Sequence, residues 1–168
     1  MSLFVLSQIL IGIAICSDVF SFQFKKREYI VSCLLVSCIL ISLHFMCLGH
    51  WTAACLGLVA AGRFITSLFS TSKIFLGLFI GITVIVSALT YEGLLSVIGC
   101  IGAIFGTVAS FSKEDKLLRQ LMSICTSIWI IHNYFAGSPG AVLMEIFFLS
   151  SNLVGYFRYY IRPQKQIL

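Results

Sequence analysis

The stretch KKREYIVSCLLVSCILISLHFMCLG, Lys25 to Gly49, decides the class of the fold. Three consecutive basic residues precede a run from Tyr29 to Leu48 that holds no Lys, Arg, Asp or Glu. A helix that crosses the hydrocarbon of a bilayer needs about 20 mostly apolar residues. The run is therefore a spanning helix, and the basic trio marks the side of the membrane on which it starts.

Working outward, the same pattern recurs along the chain. Sixty per cent of the residues are hydrophobic and ten per cent are charged, against roughly 45 to 50 and 25 per cent in soluble domains. Water cannot be the solvent for most of this surface, and the chain reads as an integral, all-α membrane protein. Breaks at charge, Gly and Pro leave seven segments: Leu3 to Gln23, Tyr29 to Leu48, Thr52 to Ser70, Ile74 to Thr90, Gly93 to Phe111, Leu117 to Ala136 and Ala141 to Tyr159. Short connections leave no room for a soluble domain and make sequence neighbours antiparallel. Residues 1–168 thus form a single membrane domain with a short tail from 160.

Charge gives the orientation. With the N-terminus outside, the inner connections hold Lys25, Lys26, Arg27, Lys73, Lys113, Lys116 and Arg119, and the tail holds Arg158, Arg162 and Lys165. Cytoplasmic loops carry the Lys and Arg excess, so the reading is N-terminus outside and C-terminus cytoplasmic. The first segment has neither preceding basic residues nor a small-residue cleavage site after it, and reads as a retained helix. The net charge of +5 is a product of topology and not a nucleic-acid footprint. The seven cysteines all fall within hydrophobic spans, without C-x-x-C spacing, and read as small apolar packing residues.

A shift of 88 residues lays the sixth segment on the second. It pairs Leu43-His44-Phe45-Met46-Cys47-Leu48-Gly49 with Ile131-His132-Asn133-Tyr134-Phe135-Ala136-Gly137, matching a His and a Gly. Similar shifts place Gly12 over Gly99 and the basic loop at Lys25 over that at Lys113. Three helices reverse the chain, so a second copy in the same orientation needs an odd number of intervening helices. Ile74 to Thr90 supplies one. The expected architecture is 3+1+3: parallel repeats over about 3–70 and 93–159, with a linker helix over about 74–90.

The segment WIIHNYFAGSPGAVLMEIFFLSSN, Trp129 to Asn152, resembles the signature of the YgjV-like bacterial inner-membrane proteins, and Leu43-His44-Phe45 with Arg63 resembles that family's first half. The resemblance covers essentially the whole chain. It implies a multi-pass inner-membrane protein in the group of SWEET, PQ-loop, vitamin-precursor transporter and KDEL-receptor folds, with transporter-like ancestry and no named substrate. The chain departs from the expected pattern at Ala60, where an Asn is expected. It has no Pro-Gln loop, and its only prolines are Pro139 in an outer turn and Pro163 in the tail, so proline hinges of the SWEET kind are absent.

Ionisable groups within the hydrocarbon cost about 2.5 to 3.5 kcal/mol each on insertion scales and usually face a cavity or a partner. Asp18 and Arg63 lie within about 6 Å of each other in depth at 1.5 Å rise per residue. They read either as an ion pair or as an acid beside a cavity-lining cation that meets an anionic solute group. Glu145 and Asn152 are two turns apart on one face of the seventh helix. Arg63 and Asn152, at matching places in the two repeats, are the first choice for a substrate site, with interhelical hydrogen bonding as the alternative use of Asn. Trp129, Asn133 and Glu145 complete the candidate lining. His44 and His132, each about one turn from the outer surface, read as helix-packing residues, an outer gate or a weak metal pair. The G-x-x-x-G spacings at Gly77 and Gly81 and at Gly102 and Gly106 favour close packing within the bundle, or a homo-oligomer contact. Ser112, ahead of Glu114 and Asp115, reads as the cap of the sixth helix.

No activated nucleophile with its base, metal-ligand cluster or Gly-rich phosphate loop is visible. The sequence thus carries no expectation of an enzyme, a metal or a cofactor. Two readings stay open: a small-solute transporter or facilitator with a central polar site for a small polar or anionic solute, and a non-transporting receptor or scaffold that retains the fold.

Overall fold

The computed structural model describes residues 3–49, 51–91, 93–136 and 139–162. Gly137, one half of the matched His and Gly pattern, lies outside the described residues, as do Pro163 and Lys165. The described chain is all-helical: α1 (Leu3–Ser21), α2 (Arg27–Leu48), α3 (Trp51–Phe69), α4 (Lys73–Leu89), α5 (Leu94–Ser110), α6 (Asp115–Phe135) and α7 (Pro139–Tyr156), which continues into a π-helical turn, Phe157–Ile161. Each falls on one of the seven apolar segments. Among the described residues, Leu3–Ser21, Arg27–Cys47 and Gly140–Ile161 are long and apolar enough to cross a bilayer. α3, α4 and α5 are shorter apolar helices, and α6 begins with Asp115, Lys116 and Arg119.

The breaks follow the backbone chemistry of the residues there. Gly49 ends α2 at φ +79°, and Gly93 precedes α5 at φ +101°, left-handed values that cost a side chain dearly. Ser72 caps α4 by accepting from Ile74 N at 3.2 Å. The expected cap of α6 is corrected. Glu114 is its N-cap residue, without a side-chain bond, and Ser112 closes the preceding turn by bonding the Glu114 backbone.

α1, α2 and α3 pack as one group, and α5, α6 and α7 as another. α4 bridges α3 and α5, and the groups meet where α1 touches α7 and α3 touches α5. Of the two glycine faces, only that on α5 makes close approaches. A Cβ on Gly102 would lie 3.1 Å from Trp129 Nε1 on α6, whereas Gly77 and Gly81 on α4 have nothing within 4 Å of a Cβ. The expectation that both faces serve packing within the bundle holds for α5 and is corrected for α4.

The basic residues collect at one end, held there by named bonds. Arg27 donates through Nε to Ser112 O (2.7 Å) and through Nη2 to Ser67 O (3.0 Å) and Ser110 O, reaching the last carbonyls of α3 and α5. Arg119, counted from the sequence as a loop charge, is fully buried. Its Nη1 donates to Phe22 O (2.9 Å) and its Nη2 to Phe24 O, the carbonyls just beyond α1. Its guanidinium also lies between the rings of Phe22 and Tyr159, and Tyr159 Oη donates to Gln23 O at 2.7 Å. Carbonyls at a helix C-terminus have no intrahelical partner, and leaving them dry is expensive. Beneath these arginines sits the apolar core, including Phe22, Leu34, Phe64, Leu118, Met122 and Phe148. Phe22 and Phe148 meet edge-on at 4.9 Å. Neither Arg27 nor Arg119 lines the central cavity described below.

Gly155 makes room for the arrangement, because a Cβ there would run into Phe22 O and Arg119 Nη1. Since the carbonyl cannot yield as a flexible side chain would, Gly155→Ala is expected to destabilise by about 1–3 kcal/mol. Arg119→Met should cost on the order of 3 kcal/mol by orphaning the buried Phe22 carbonyl and the part-buried bond to Phe24 O, while Lys25→Met, at an exposed site, should stay within about 0.5 kcal/mol. Thermal unfolding of the three variants in one detergent checks the ordering.

Candidate functional site

Between the two helix groups lies a cavity in two chambers. The outer chamber, about 140 Å³, is framed by α2, α3, α5, α6 and α7 and includes Phe45, Ala53, Arg63, Trp129, Asn133 and Glu145. The inner chamber, about 100 Å³, lies nearer the basic end and adds Asp18 from α1, Ser37 from α2 and Thr126 from α6. Cys38, Ile41, Arg63, Trp129, Met144 and Glu145 line both, so the chambers are neighbouring parts of one site. Phe45, Ala53 and Asn133 lie near the helix ends remote from the basic cluster, and the cavity therefore extends toward that opposite end.

Arg63 is 6 % exposed and is held from α5, its Nη1 donating to Ala103 O and Thr107 Oγ1, both at 3.0 Å. Thr107 in turn donates to Ala103 O at 2.7 Å, which fixes the acceptor. Two groups on α5 thus hold one nitrogen of the guanidinium, and the buried Nε has no hydrogen-bond partner. Gly106 supplies the berth: a Cβ there would come within 2.6 Å of Arg63 Nη2 and 3.2 Å of Cys125 Sγ.

The expected ion pair of Asp18 and Arg63 is corrected. Asp18 is 5 % exposed and shares the inner chamber with Arg63, yet no ion pair joins them among the described residues, because the guanidinium is drawn toward α5. Glu145 lies within electrostatic reach of Asp18 and lines the same chamber. The site therefore contains one guanidinium and two carboxylates with no ion pair among them. Ser37, 1 % exposed, lines the inner chamber with its hydroxyl beside the Asp18 carboxyl.

Asn152 is elsewhere, and the expected pairing with Arg63 in one cavity is likewise corrected. Its Nδ2 donates to Arg119 O (2.7 Å) and Ser123 Oγ (2.9 Å), so it joins α7 to α6 and lines neither chamber. The residue before it, Ser151, faces α1, where it donates to Val19 O and accepts from Gln23 Nε2 at 2.9 Å.

Trp129 lines both chambers and Asn133 the outer one. His44 and His132 line neither chamber. His44 is buried and donates through Nδ1 to Ser7 O at 2.9 Å, tying α2 to α1. His132 sits edge-on to Trp129 at 4.9 Å, with Nδ1 at 3.1 Å from Asn133 Oδ1, so it supports two cavity residues from behind. Sequence reasoning missed Thr107, Ser37 and the structural use of Arg119. For Arg119 a signal was present: positions 119, 122, 126, 129 and 133 recur at helical spacing along the face of α6 that turns inward.

Gly106→Ala should cost about 1–3 kcal/mol by overpacking against the guanidinium. The cost should shrink to below about 1 kcal/mol in an Arg63→Met background, a coupling a double-mutant cycle reads directly. Asn152→Leu should lower stability by roughly 1 kcal/mol through the lost interhelical bonds.

Comparison with known proteins agrees with the helical, apolar character of the chain. A model of the family described as Imp-YgjV, bacterial inner membrane protein, matches residues 5–163. The chain is 30% identical over 144 residues to the inner membrane protein YgjV of Escherichia coli (strain K12), covering 86% of this chain and 75% of that protein. No solved structure matches. With nearly the whole length matched by the family model, the chain belongs to the Imp-YgjV family of bacterial inner membrane proteins.

Proposed function

We propose that the protein is a small-solute transporter or facilitator, and not an enzyme, with its solute site in the central cavity. The observation that carries this reading is a cavity with ionisable side chains inside an apolar helical protein, its lining including Asp18, Arg63, Trp129, Asn133 and Glu145 from both helix groups. Burying one guanidinium and two carboxyl groups with no ion pair among them is costly as a purely structural choice. It is understandable where a ligand completes the set.

In this reading all seven helices cross the membrane and the groups α1–α3 and α5–α7 are parallel repeats linked by α4. Reciprocity of contact supports it. The first helix of each group touches the third of the other, α1 with α7 and α5 with α3. Arg63 and Ser151 are 88 residues apart, the offset that aligns the histidines, and each donates to a backbone carbonyl of the other group's first helix, Ala103 on α5 and Val19 on α1. Arg27 and Arg119 repeat the exchange at the basic end, one reaching beyond α5 and the other beyond α1. A two-fold axis along the membrane normal relates such pairs.

The basic end faces the cytoplasm by the Lys and Arg rule, so the cavity would be reached from the outside. A receptor or scaffold is the second reading. It is favoured by the two bonds that already satisfy Arg63 Nη1.

Fusing a reporter active only in the cytoplasm after Leu168 should give activity, and a periplasmic reporter at the same place should not. For the site, a melting-temperature screen of small polar solutes on purified protein should find a stabilising class, since a bound ligand stabilises the folded state by mass action. Arg63→Met should lose that response while still unfolding cooperatively, and Asn152→Leu should keep it. A screen in which no solute distinguishes wild type from Arg63→Met would favour the scaffold.

A further inference from the structure

We infer that the cavity receives a small zwitterion of the amino-acid type, with its ammonium among Asp18, Glu145 and Ser37 and its carboxylate on Arg63. The inference rests on the solute-site reading above and names the class of solute. Within the inner chamber Asp18 and Glu145 offer carboxyl groups, and Ser37 sets a buried hydroxyl beside Asp18. An ammonium brings three donors and no acceptor, which is the complement of that set. Arg63, lining the same chamber, spends Nη1 on Ala103 and Thr107 and leaves Nε without a hydrogen-bond partner. The Nε–Nη2 edge of a guanidinium is one that takes a carboxylate side-on through two parallel bonds.

Charge placement disfavours the simpler ligands. A lone anion gains Arg63 but meets Asp18 and Glu145 within the same small space, and a lone cation answers the acids but leaves Arg63 unanswered. A solute with both signs a few bonds apart sets a positive group against the acids and a negative one against Arg63. Size agrees. At about 30 Å³ per water of liquid volume, chambers of about 100 and 140 Å³ suit a compact molecule. Ile41, Met144 and Trp129 give a small apolar substituent somewhere to lie.

The test compares three matched sets on the full chain in lipid nanodiscs: glycine, L-alanine and β-alanine as zwitterions; acetate and propionate as anions; methylamine and ethylamine as cations. Calorimetric titration is expected to show at least one zwitterion binding roughly tenfold or more tighter than its matched anion and amine, about 1.4 kcal/mol. Asp18→Asn should narrow the preference for zwitterion over anion, Arg63→Lys should narrow that over amine, and Asn152→Leu should leave both. Propionate or an amine binding as tightly as every zwitterion, or no zwitterion binding, overturns the inference. If glycerol or a sugar binds the wild type and not Arg63→Met while all zwitterions fail, the zwitterion is overturned and the solute site stands. If the wider screen also finds nothing, both fall.

Discussion

The arrangement depends on satisfying helix-end carbonyls in a place where water is scarce. Arg27 and Arg119 do this at the basic end, each crossing from its own helix to carbonyls at or beyond the end of a helix in the other group. A charge-assisted bond from arginine is worth about twice a neutral one, and one planar group can serve several acceptors at fixed angles. Because the acceptors are main-chain atoms, the two helix groups are brought into register by backbone as much as by side-chain shape. Gly155 and the rings of Phe22 and Tyr159 complete the seat of Arg119.

The central cavity lies away from these arginines. The aromatic and aliphatic core under the arginines fills the space between the groups there. Farther along the bundle, small residues take over. Gly99 and Gly102 let α5 lie against Trp129 and His132 of α6, and Gly106 leaves the gap that Arg63 occupies. The same glycines that permit close helix packing also position the cation of the site. This is why a methyl group at Gly106 bears on chemistry as well as on packing.

Much of the fold was legible because length and apolar content are properties of contiguous segments. All seven segments became helices, with ends within a few residues of the expected ones, and Gly49 and Gly93 mark breaks that their backbone angles explain. The site was legible only in part. Asp18, Arg63, Trp129, Asn133 and Glu145 were picked out because polar groups in hydrocarbon need a reason, and all five line the cavity. Depth along the membrane, however, gives no bearing around the helix axis. Asp18 and Arg63 share a level but Arg63 turns to α5, and Asn152 turns to α6 while its neighbour Ser151 takes the direction toward α1. Arg119 was placed among solvated loop charges because its position near a helix start hid the periodicity that sends it inward.

The proposed solute site is a cavity that opens away from the basic end. Cysteine accessibility tests it most directly. In a background lacking the seven native cysteines, single cysteines at Ala53 and Ala60, which line the outer chamber, are compared with one at Leu118, buried at the basic end. A membrane-impermeant thiol reagent added from the periplasmic side should modify the first two and spare the third. Protection of Ala53→Cys and Ala60→Cys, or labelling of Leu118→Cys ahead of them, would contradict the account.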